Sequence, residues 1–121
     1  MLQVITLSLP WPHKDLSPNA RVHWRPRAKV IKAARTEAYA LMFAGMTLRE
    51  RGRLYLREKL RVSFTFHPKD KRRRDVDNLI SSTKAHRDGI ADALGIDDSN
   101  FILTAEIGEP RKPACVEVTI S

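Results

Sequence analysis

The sequence predicts a small α+β domain in which helices pack on one mixed β-sheet. Its 121 residues are the length of one ordinary domain, and a hydrophobic fraction of 42% is enough for one core. Apolar residues alternate along some segments and recur every three or four residues along others, which predicts strands and helices respectively. The resulting order is β-α-β-α-β-β, and we expect the whole chain, 1–121, to form a single domain.

Strands are predicted over four short segments rich in β-branched and aromatic residues: 2–9, 59–67, 101–107 and 114–120. The first ends at Pro10-Trp11-Pro12. The second alternates most clearly, with one side predicted to be buried: Leu60, Val62, Phe64 and Phe66. A turn, GEPRKP, is expected to join the last two strands.

Helices are predicted over 26–46 and 78–94, the first starting at Pro26 and the second closed by Gly95. The predicted buried face of the first helix comprises Ile31, Ala34, Ala38, Leu41 and Met42, with Lys29, Lys32 and Arg35 outside it. The apolar stripe of the second comprises Leu79, Ile80, Thr83, Ile90, Ala91 and Leu94. Between the first helix and the second strand, a solvated linker is expected to contain Arg49, Arg51, Arg53 and Arg57.

The charge balance favours a polyanionic partner. Lys and Arg number 22 against 14 Asp and Glu, which gives a net charge of +8 and a pI near 10.2. Nucleic acid is a better match than an anionic membrane, because no apolar run approaches the roughly 20 residues of a spanning helix. The start of the chain does not resemble a signal peptide. Cys115 is the only cysteine, which excludes an internal disulfide or a cysteine-based zinc cluster. We therefore expect a cytoplasmic protein.

The segment KRRRDVDN, 71–78, places two aspartates beside four cations. In an extended segment Asp75 and Asp77 project to the same side, and two carboxylates about 4 Å apart repel by roughly 4 kcal/mol at an effective dielectric near 20. Mg²⁺ or Mn²⁺ would remove that repulsion, and so would an arginine such as Arg73. The alternative role is structural, since Asp77 or Asn78 is a favourable N-cap for the helix that follows.

Further charged residues follow along the second predicted helix. Lys84 and Asp88 are four residues apart, so they share a face at the edge of the apolar stripe, either bordering a cleft or forming an exposed ion pair. Asp97 and Asp98 lie in the turn after Gly95, where at most one is expected to be a ligand. A continuous helix between the two acidic segments would span about 25 Å, so Asp98 reaches the first pair only by folding back or from a second subunit.

The ordered motifs resemble those of RusA-type Holliday-junction resolvases, a family common in bacterial prophages. The resemblance rests on DVDNLISSTKAHRDGIADALGIDDSNF, the upstream RRR, and the opening LSLPWP followed by SPNARVHWR, and it extends over most of the chain. One departure is that position 81, where the family lysine is expected, is Ser. Lys84 lies about one helical turn further on and is the nearest equivalent.

The resemblance implies a Mg²⁺-dependent endonuclease that acts as a homodimer on four-way DNA junctions in recombination and repair, with Mn²⁺ as a plausible substitute. Carried over by position, the catalytic and metal-ligating acids are Asp75, Asp77 and Asp98. Lys84 is the basic catalytic residue, while Asn78 and Asp88 complete the motif without an assigned role. Predicted DNA contacts lie in two basic segments: Arg72, Arg73 and Arg74, and then Asn19, Arg21, Trp24, Arg25 and Arg27. Trp24 either stacks on an unpaired base or packs against the protein.

Two other functions remain open from the residues alone. A non-catalytic DNA- or RNA-binding module would use the same excess of positive charge without hydrolysis. A phosphatase with an aspartate nucleophile would need its D-x-D directly after a buried strand, and the intervening KDKRRR disfavours it. His13, His67 and His86 lack metal-ligand spacing and are expected to be structural or exposed.

Overall fold

The computed structural model describes residues 4–121 and confirms the α+β class. In chain order the elements are β1 (Ile5–Pro10), α1 (Trp24–Ala44), α2 (Leu48–Tyr55), β2 (Leu60–His67), α3 (Val76–Ser81), α4 (Lys84–Leu94), β3 (Phe101–Ile107) and β4 (Cys115–Ile120). Short 3-10 turns precede α1 and β3, at Lys14–Leu16 and Asp98–Asn100. Residues 2 and 3 of the first predicted strand lie outside the described part of the chain.

The four strands form one mixed sheet in the order β1-β4-β2-β3. β4 is antiparallel to both of its neighbours, whereas β2 and β3 are parallel and are joined by a crossover that contains α3 and α4. The last two strands are therefore consecutive in sequence but are not neighbours, because β2 lies between them. A parallel pair requires such a crossover, since a tight turn can join only antiparallel strands.

The core lies between one face of the sheet and the helices. The predicted inward residues of β2, namely Leu60, Val62, Phe64 and Phe66, are at most 1% exposed. They pack with Met42 of α1, Leu54 of α2, and Ile90 and Leu94 of α4. The predicted buried face of α1 is correct for Ala34, Ala38 and Met42 but wrong for Ile31 and Leu41, which are 38% and 39% exposed. The opposite face of β2 presents Arg61, Ser63 and Thr65, and its last residue, His67, is buried.

Gly89 allows α1 and α4 to approach closely. A Cβ atom at this position would lie 2.2 Å from the backbone oxygen of Arg35 and 3.0 Å from the Cβ of Ala38. Beside this contact, the Arg35 guanidinium donates two hydrogen bonds to the Asp92 carboxylate, at 2.6 and 2.9 Å. The two helices are thus held in one register by a steric fit and a bidentate ion pair.

The predicted linker after α1 is wrong, because residues 48–55 form the helix α2. Thr47 accepts a hydrogen bond from the Glu50 amide at 3.1 Å, and the Glu50 carboxylate accepts from the Thr47 amide at 2.8 Å. This reciprocal capping box starts the helix. Arg51 is not a free linker arginine, since its Nε donates to the backbone oxygen of Ala93 at 2.8 Å and so satisfies the end of α4.

The predicted helix 78–94 is divided and begins two residues earlier, at Val76. The Ser82 hydroxyl donates to the backbone oxygen of Asn78 at 2.8 Å, and the Thr83 hydroxyl donates to that of Ile80 at 2.6 Å. Such bonds compete with the helical pattern and bend a helix. α4 then ends as predicted at Gly95, whose φ of 73° is left-handed. Across residues 4–121, none of these helices is long and apolar enough to cross a bilayer.

Candidate functional site

Asp70 organises the basic loop that leads into α3. Its Oδ1 accepts hydrogen bonds from the Arg72 amide at 3.0 Å and from Nη2 of Arg74 at 2.8 Å, and its backbone oxygen accepts from Nη1 of Arg74 at 3.0 Å. The hydrogen bond from Arg72 and then that from Arg74 lower the pKa of Asp70. Arg74 is therefore a structural arginine with only 17% of its side chain exposed, whereas Arg72 and Arg73 are open to solvent.

Asp75 is the N-cap of α3. Its Oδ1 accepts hydrogen bonds from the backbone amides of Asp77 at 2.9 Å and of Asn78 at 3.4 Å. The expected cap at Asp77 or Asn78 is wrong, and the cap lies at Asp75 because the chain remains extended there, with φ −89° and ψ 116°. Asp77 lies in the first turn, where its negative charge interacts favourably with the positive end of the helix dipole. Both aspartates are exposed.

The expected pairing of Arg73 with the two aspartates is not present. Among the described residues, neither Asp75 nor Asp77 has a cationic nitrogen within 4.0 Å, and the cation nearest in sequence, Arg74, is bound to Asp70. Oδ2 of Asp75 and both carboxylate oxygens of Asp77 are left without a hydrogen bond inside residues 4–121. These oxygens are available to a ligand.

Lys84 contacts one acid on its own helix and a second acid in the turn after that helix. Its Nζ donates to Oδ1 of Asp88 at 2.9 Å, which confirms the predicted pair, and it also donates to Oδ2 of Asp98. Asp98 thus folds back onto the start of α4 within a single chain. α4 is 11 residues long, about 16 Å, and the 3-10 turn that follows it brings Asp98 back beside the first turn of the helix. No contact of Asp98 with Asp75 or Asp77 is observed among residues 4–121.

Mutual electrostatic stabilisation follows from this contact. The hydrogen bond from Lys84 lowers the pKa of Asp98, and the hydrogen bonds to Asp98 and then Asp88 raise the pKa of Lys84. Burial lowers the pKa of Arg87, while the nearby charges of Asp98 and Asp88 act against that effect. Arg87 lies on the same helix and donates from Nη2 to the backbone oxygen of Ile80 at 3.3 Å. Asp98 therefore remains ionised at neutral pH.

The carboxylates of this region are the type of ligand that a hard divalent cation prefers, but they are not arranged around one point. Carboxylate oxygens are the ligands that Mg²⁺ prefers, and Asp75 and Asp77 offer free ones. Within residues 4–121, however, no three His, Cys, Asp or Glu side chains converge on one point, and Asp98 is bound to Lys84. Asp75 and Asp77 therefore offer free carboxylate oxygens, whereas the observed contact of Asp98 is with Lys84 and not with these two residues.

The N-terminal basic segment surrounds the start of α1. His23 is the N-cap, accepting from the Arg25 amide at 3.3 Å, and Trp24 is 65% exposed with the Arg25 guanidinium 5.2 Å from its ring centroid. Trp24 is thus open to a ligand, in contrast to the alternative of packing. Asn19, Arg21 and Arg25 are exposed, whereas Arg27 is partly buried and donates to the backbone oxygen of Ser17 at 3.3 Å.

A comparison with known proteins finds a bacterial relative of this chain. No family model matches it. It is 44% identical over 124 residues to an uncharacterized protein of Xylella fastidiosa, in an alignment that includes 98% of this chain and 77% of the relative. The chain belongs to the family of that protein. The alignment extends over nearly the entire fold.

Two residues near the site were not singled out from the sequence. Trp11 lies under the Arg74 guanidinium, 5.9 Å from its ring centroid, and contacts Phe66 edge-on at 6.1 Å. His86 is 3% exposed, and its Nδ1 has no hydrogen-bond partner within residues 4–121. The prolines on either side of Trp11 mark the end of a strand and so gave a local signal near Trp11. No local signal indicated that His86 is buried, because its burial depends on the packing of α1 against α4.

Proposed function

We propose that this protein is a Mg²⁺-dependent, structure-selective endodeoxyribonuclease of the RusA type that resolves four-way DNA junctions. The observation that carries the proposal is the contact between Lys84 and Asp98. It unites the lysine that follows D-x-D-N with the acid that precedes β3. A metal-dependent nuclease needs carboxylates and a cation together next to a surface that accepts phosphate.

The exposed charges around this contact support a DNA substrate. Arg72 and Arg73 lie three and two residues before Asp75 and are open to solvent, and a second basic segment surrounds Trp24. With a net charge of +8, the protein attracts the phosphate backbone at long range. The phosphates of a bound strand would be drawn to the loop that presents the two free carboxylates.

The roles of the residues follow from their positions. A bound Mg²⁺ would supply an activated water and charge stabilisation on the phosphoryl group, and Mn²⁺ is a plausible substitute. Asp75 and Asp77 would hold it, with Asp98 as the third carboxylate. Lys84, once released from Asp98, is a point charge for the scissile phosphate or the leaving oxygen. Asn78 and Asp88 retain structural roles, since the Asn78 backbone oxygen binds Ser82 and the Asp88 carboxylate binds Lys84.

A homodimer and a cytoplasmic location complete the proposal. A four-way junction is approximately two-fold symmetric, so an isologous pair of subunits presents two equivalent sites to two equivalent strands. Sedimentation velocity on the protein, with and without a synthetic junction, measures the stoichiometry directly. A single subunit bound to each junction would contradict the dimer without affecting the nuclease assignment.

The test is cleavage of labelled four-way, three-way, duplex and single-stranded DNA with Mg²⁺ or Mn²⁺. We expect symmetric nicking of the four-way junction, and we expect Asp75→Asn to abolish it while junction binding is retained or tightened. Asp97→Asn is the matched control, because Asp97 is exposed, adjacent to Asp98, and only caps the 3-10 turn through the Ser99 amide at 2.9 Å. Unchanged nicking by Asp75→Asn, or binding without cleavage by any divalent cation, would favour a non-catalytic nucleic-acid-binding module.

A further inference from the structure

A cavity of about 310 Å³ opens between the end of β1, the first 3-10 turn, α1 and α4. Its walls are mostly apolar and include Trp11, Leu16, Val30 and Ala34. Small-molecule pockets have volumes of roughly 300 to 1,000 Å³, so this one is suited to a single small ring system. No residue proposed to act in hydrolysis lines it.

His86 gives the cavity a buried polar group without a partner. It lines the cavity from α4, is 3% exposed, and its Nδ1 forms no hydrogen bond within the described chain. Burial lowers its pKa, so the imidazole is neutral at physiological pH and carries one donor and one acceptor nitrogen. Nδ1 is itself closed to solvent, so His86 forms part of the cavity wall without offering this nitrogen to a ligand.

Glu37 places a carboxylate at the mouth of the same cavity. It lines the opening from α1, is exposed, and has no cationic nitrogen within 4.0 Å in residues 4–121. An ionised carboxylate accepts hydrogen bonds but cannot donate them, so it favours an amino group over a carbonyl group. It also disfavours a phosphate at this point. The ligand is therefore expected to be an uncharged, planar, apolar-faced ring with an amino group.

The cavity adjoins the basic loop through Trp11. One end of this side chain lines the cavity, and the Arg74 guanidinium lies 5.9 Å from its ring centroid. Arg74 directly precedes Asp75 and is fixed by Asp70 at 2.8 Å. The basic loop therefore contacts one wall of the cavity, through Arg74 and Trp11.

We propose that this cavity receives a nucleobase with an exocyclic amino group (cytosine, adenine or guanine rather than thymine), unstacked from branched DNA. The apolar walls, with the His86 ring among them, contact the base faces, while Glu37 accepts from the amino group. This proposal rests on the proposed function, because that function provides the DNA from which the base would come. The same chemistry is available from a free nucleoside, and the experiment separates the two sources.

The first arm measures junction binding in EDTA, so that cleavage plays no part. Ala33→Met fills the cavity from an exposed position of α1, and Glu37→Ala removes the acceptor. We expect each variant to bind about tenfold more weakly, since stacking one base on protein contributes roughly 1–3 kcal/mol. Glu58→Ala is the matched control, because it makes the same charge change at an exposed residue outside the cavity. Thermal melting of each variant verifies that it is folded.

The second arm locates the base. Junctions with a single abasic site at successive positions near the crossover are tested with both proteins. We expect one position to weaken binding by the wild type but not by Ala33→Met, because the variant no longer receives that base. If no position shows this difference, or if Ala33→Met binds as the wild type does, the DNA source is overturned.

The third arm follows the Val30 methyl NMR signals on addition of deoxycytidine or thymidine. Larger shifts with deoxycytidine support the amino preference, and equal shifts overturn it. Shifts with deoxycytidine together with unaltered junction binding in Ala33→Met would assign the cavity to free nucleosides and overturn its role in DNA binding. Junction nicking with Mg²⁺ is scored separately. Loss of nicking alone contradicts the proposed function, whereas unaltered binding in the two cavity variants alone contradicts the base-binding cavity.

Discussion

Lys84 donates hydrogen bonds to both Asp88 and Asp98, so a residue 14 positions downstream returns to the first turn of α4. The contact is made within one chain and does not require a second subunit. It also defines two states of the proposed site, one in which Lys84 holds Asp98 and one in which Asp98 is free to bind a cation.

Removal of the lysine should raise the pKa of Asp98. The hydrogen bond from Lys84 is the main cause of the lowered pKa, so Lys84→Met should move the Asp98 titration toward the ordinary aspartate value of about 3.9. Because the folded-state pKa is lowered, this contact stabilises the protein above the unfolded-state pKa and loses its contribution as pH falls through the folded-state pKa. Carboxyl NMR titration measures the shift, with Lys32→Met, an exposed lysine of α1, as control. An Asp98 pKa that is equal in wild type and Lys84→Met would contradict the interpretation.

Because Asp75 caps α3, two different substitutions at this position should separate its effect on stability from its effect on cleavage. Asp75→Ala removes the acceptor for the Asp77 and Asn78 amides and should reduce the free energy of unfolding by about 1 kcal/mol. Asp75→Asn retains a capping oxygen, so it should unfold as the wild type does and still fail to cleave. Urea denaturation of the two variants checks this. Equal destabilisation by both would show that the charge, and not the cap, stabilises α3.

Gly89 should tolerate no side chain. Gly89→Ala places a methyl group 2.2 Å from the Arg35 backbone oxygen, which must displace α1 or α4 and should cost about 3 kcal/mol of unfolding free energy. Gly52→Ala is the matched control, since a Cβ at position 52 of α2 has no neighbour within 4 Å. That change should stabilise the protein by about 0.5–1 kcal/mol through helix propensity. A small effect of Gly89→Ala in urea denaturation would contradict the close helix packing.

The two neighbouring arginines of the basic loop should behave differently. Arg73 is exposed and unpaired in the described chain, so Arg73→Ala should weaken junction binding and reduce the slope of log affinity against log salt by about 0.9 for one lost phosphate contact. Arg74→Ala breaks the bonds to Asp70 and the contact with Trp11, and should lower the thermal midpoint as well. Fluorescence anisotropy at several salt concentrations, together with thermal melts, distinguishes the two effects. Equal salt slopes for wild type and Arg73→Ala would remove Arg73 from the DNA surface.

Local patterns predicted the sheet well. The alternation in 59–67 identified the buried face of β2 without error, and 101–107 coincides with β3. Period-2 patterning is read directly from neighbouring residues. The pairing of distant strands cannot be read from neighbouring residues, so the position of β2 between β3 and β4 was not predicted.

The errors arose where side chains bond to the backbone. Thr83 fits the apolar period of a continuous helix, but the hydroxyl bonds of Ser82 and Thr83 to the backbone divide that helix. α2 was missed because its arginines suggested solvent, although Thr47 and Glu50 have the spacing of a capping box. The return of Asp98 to Lys84 was not predicted either, because it depends on the path of the turn after Gly95 and not on a local pattern.

The parallel pairing of β2 with β3 has a consequence for when the site exists. Asp75, Asp77, Lys84 and Asp98 all belong to the single crossover between these strands, and Asp98 is separated from β3 by only two residues. β3 is the outer strand of the sheet, and three of its large apolar residues are more than a third exposed. Detachment of that strand would carry Asp98 away from Lys84 while the rest of the core remained folded. We therefore expect the Lys84–Asp98 contact to exist only while β3 is paired with β2, and to be lost when that edge strand detaches.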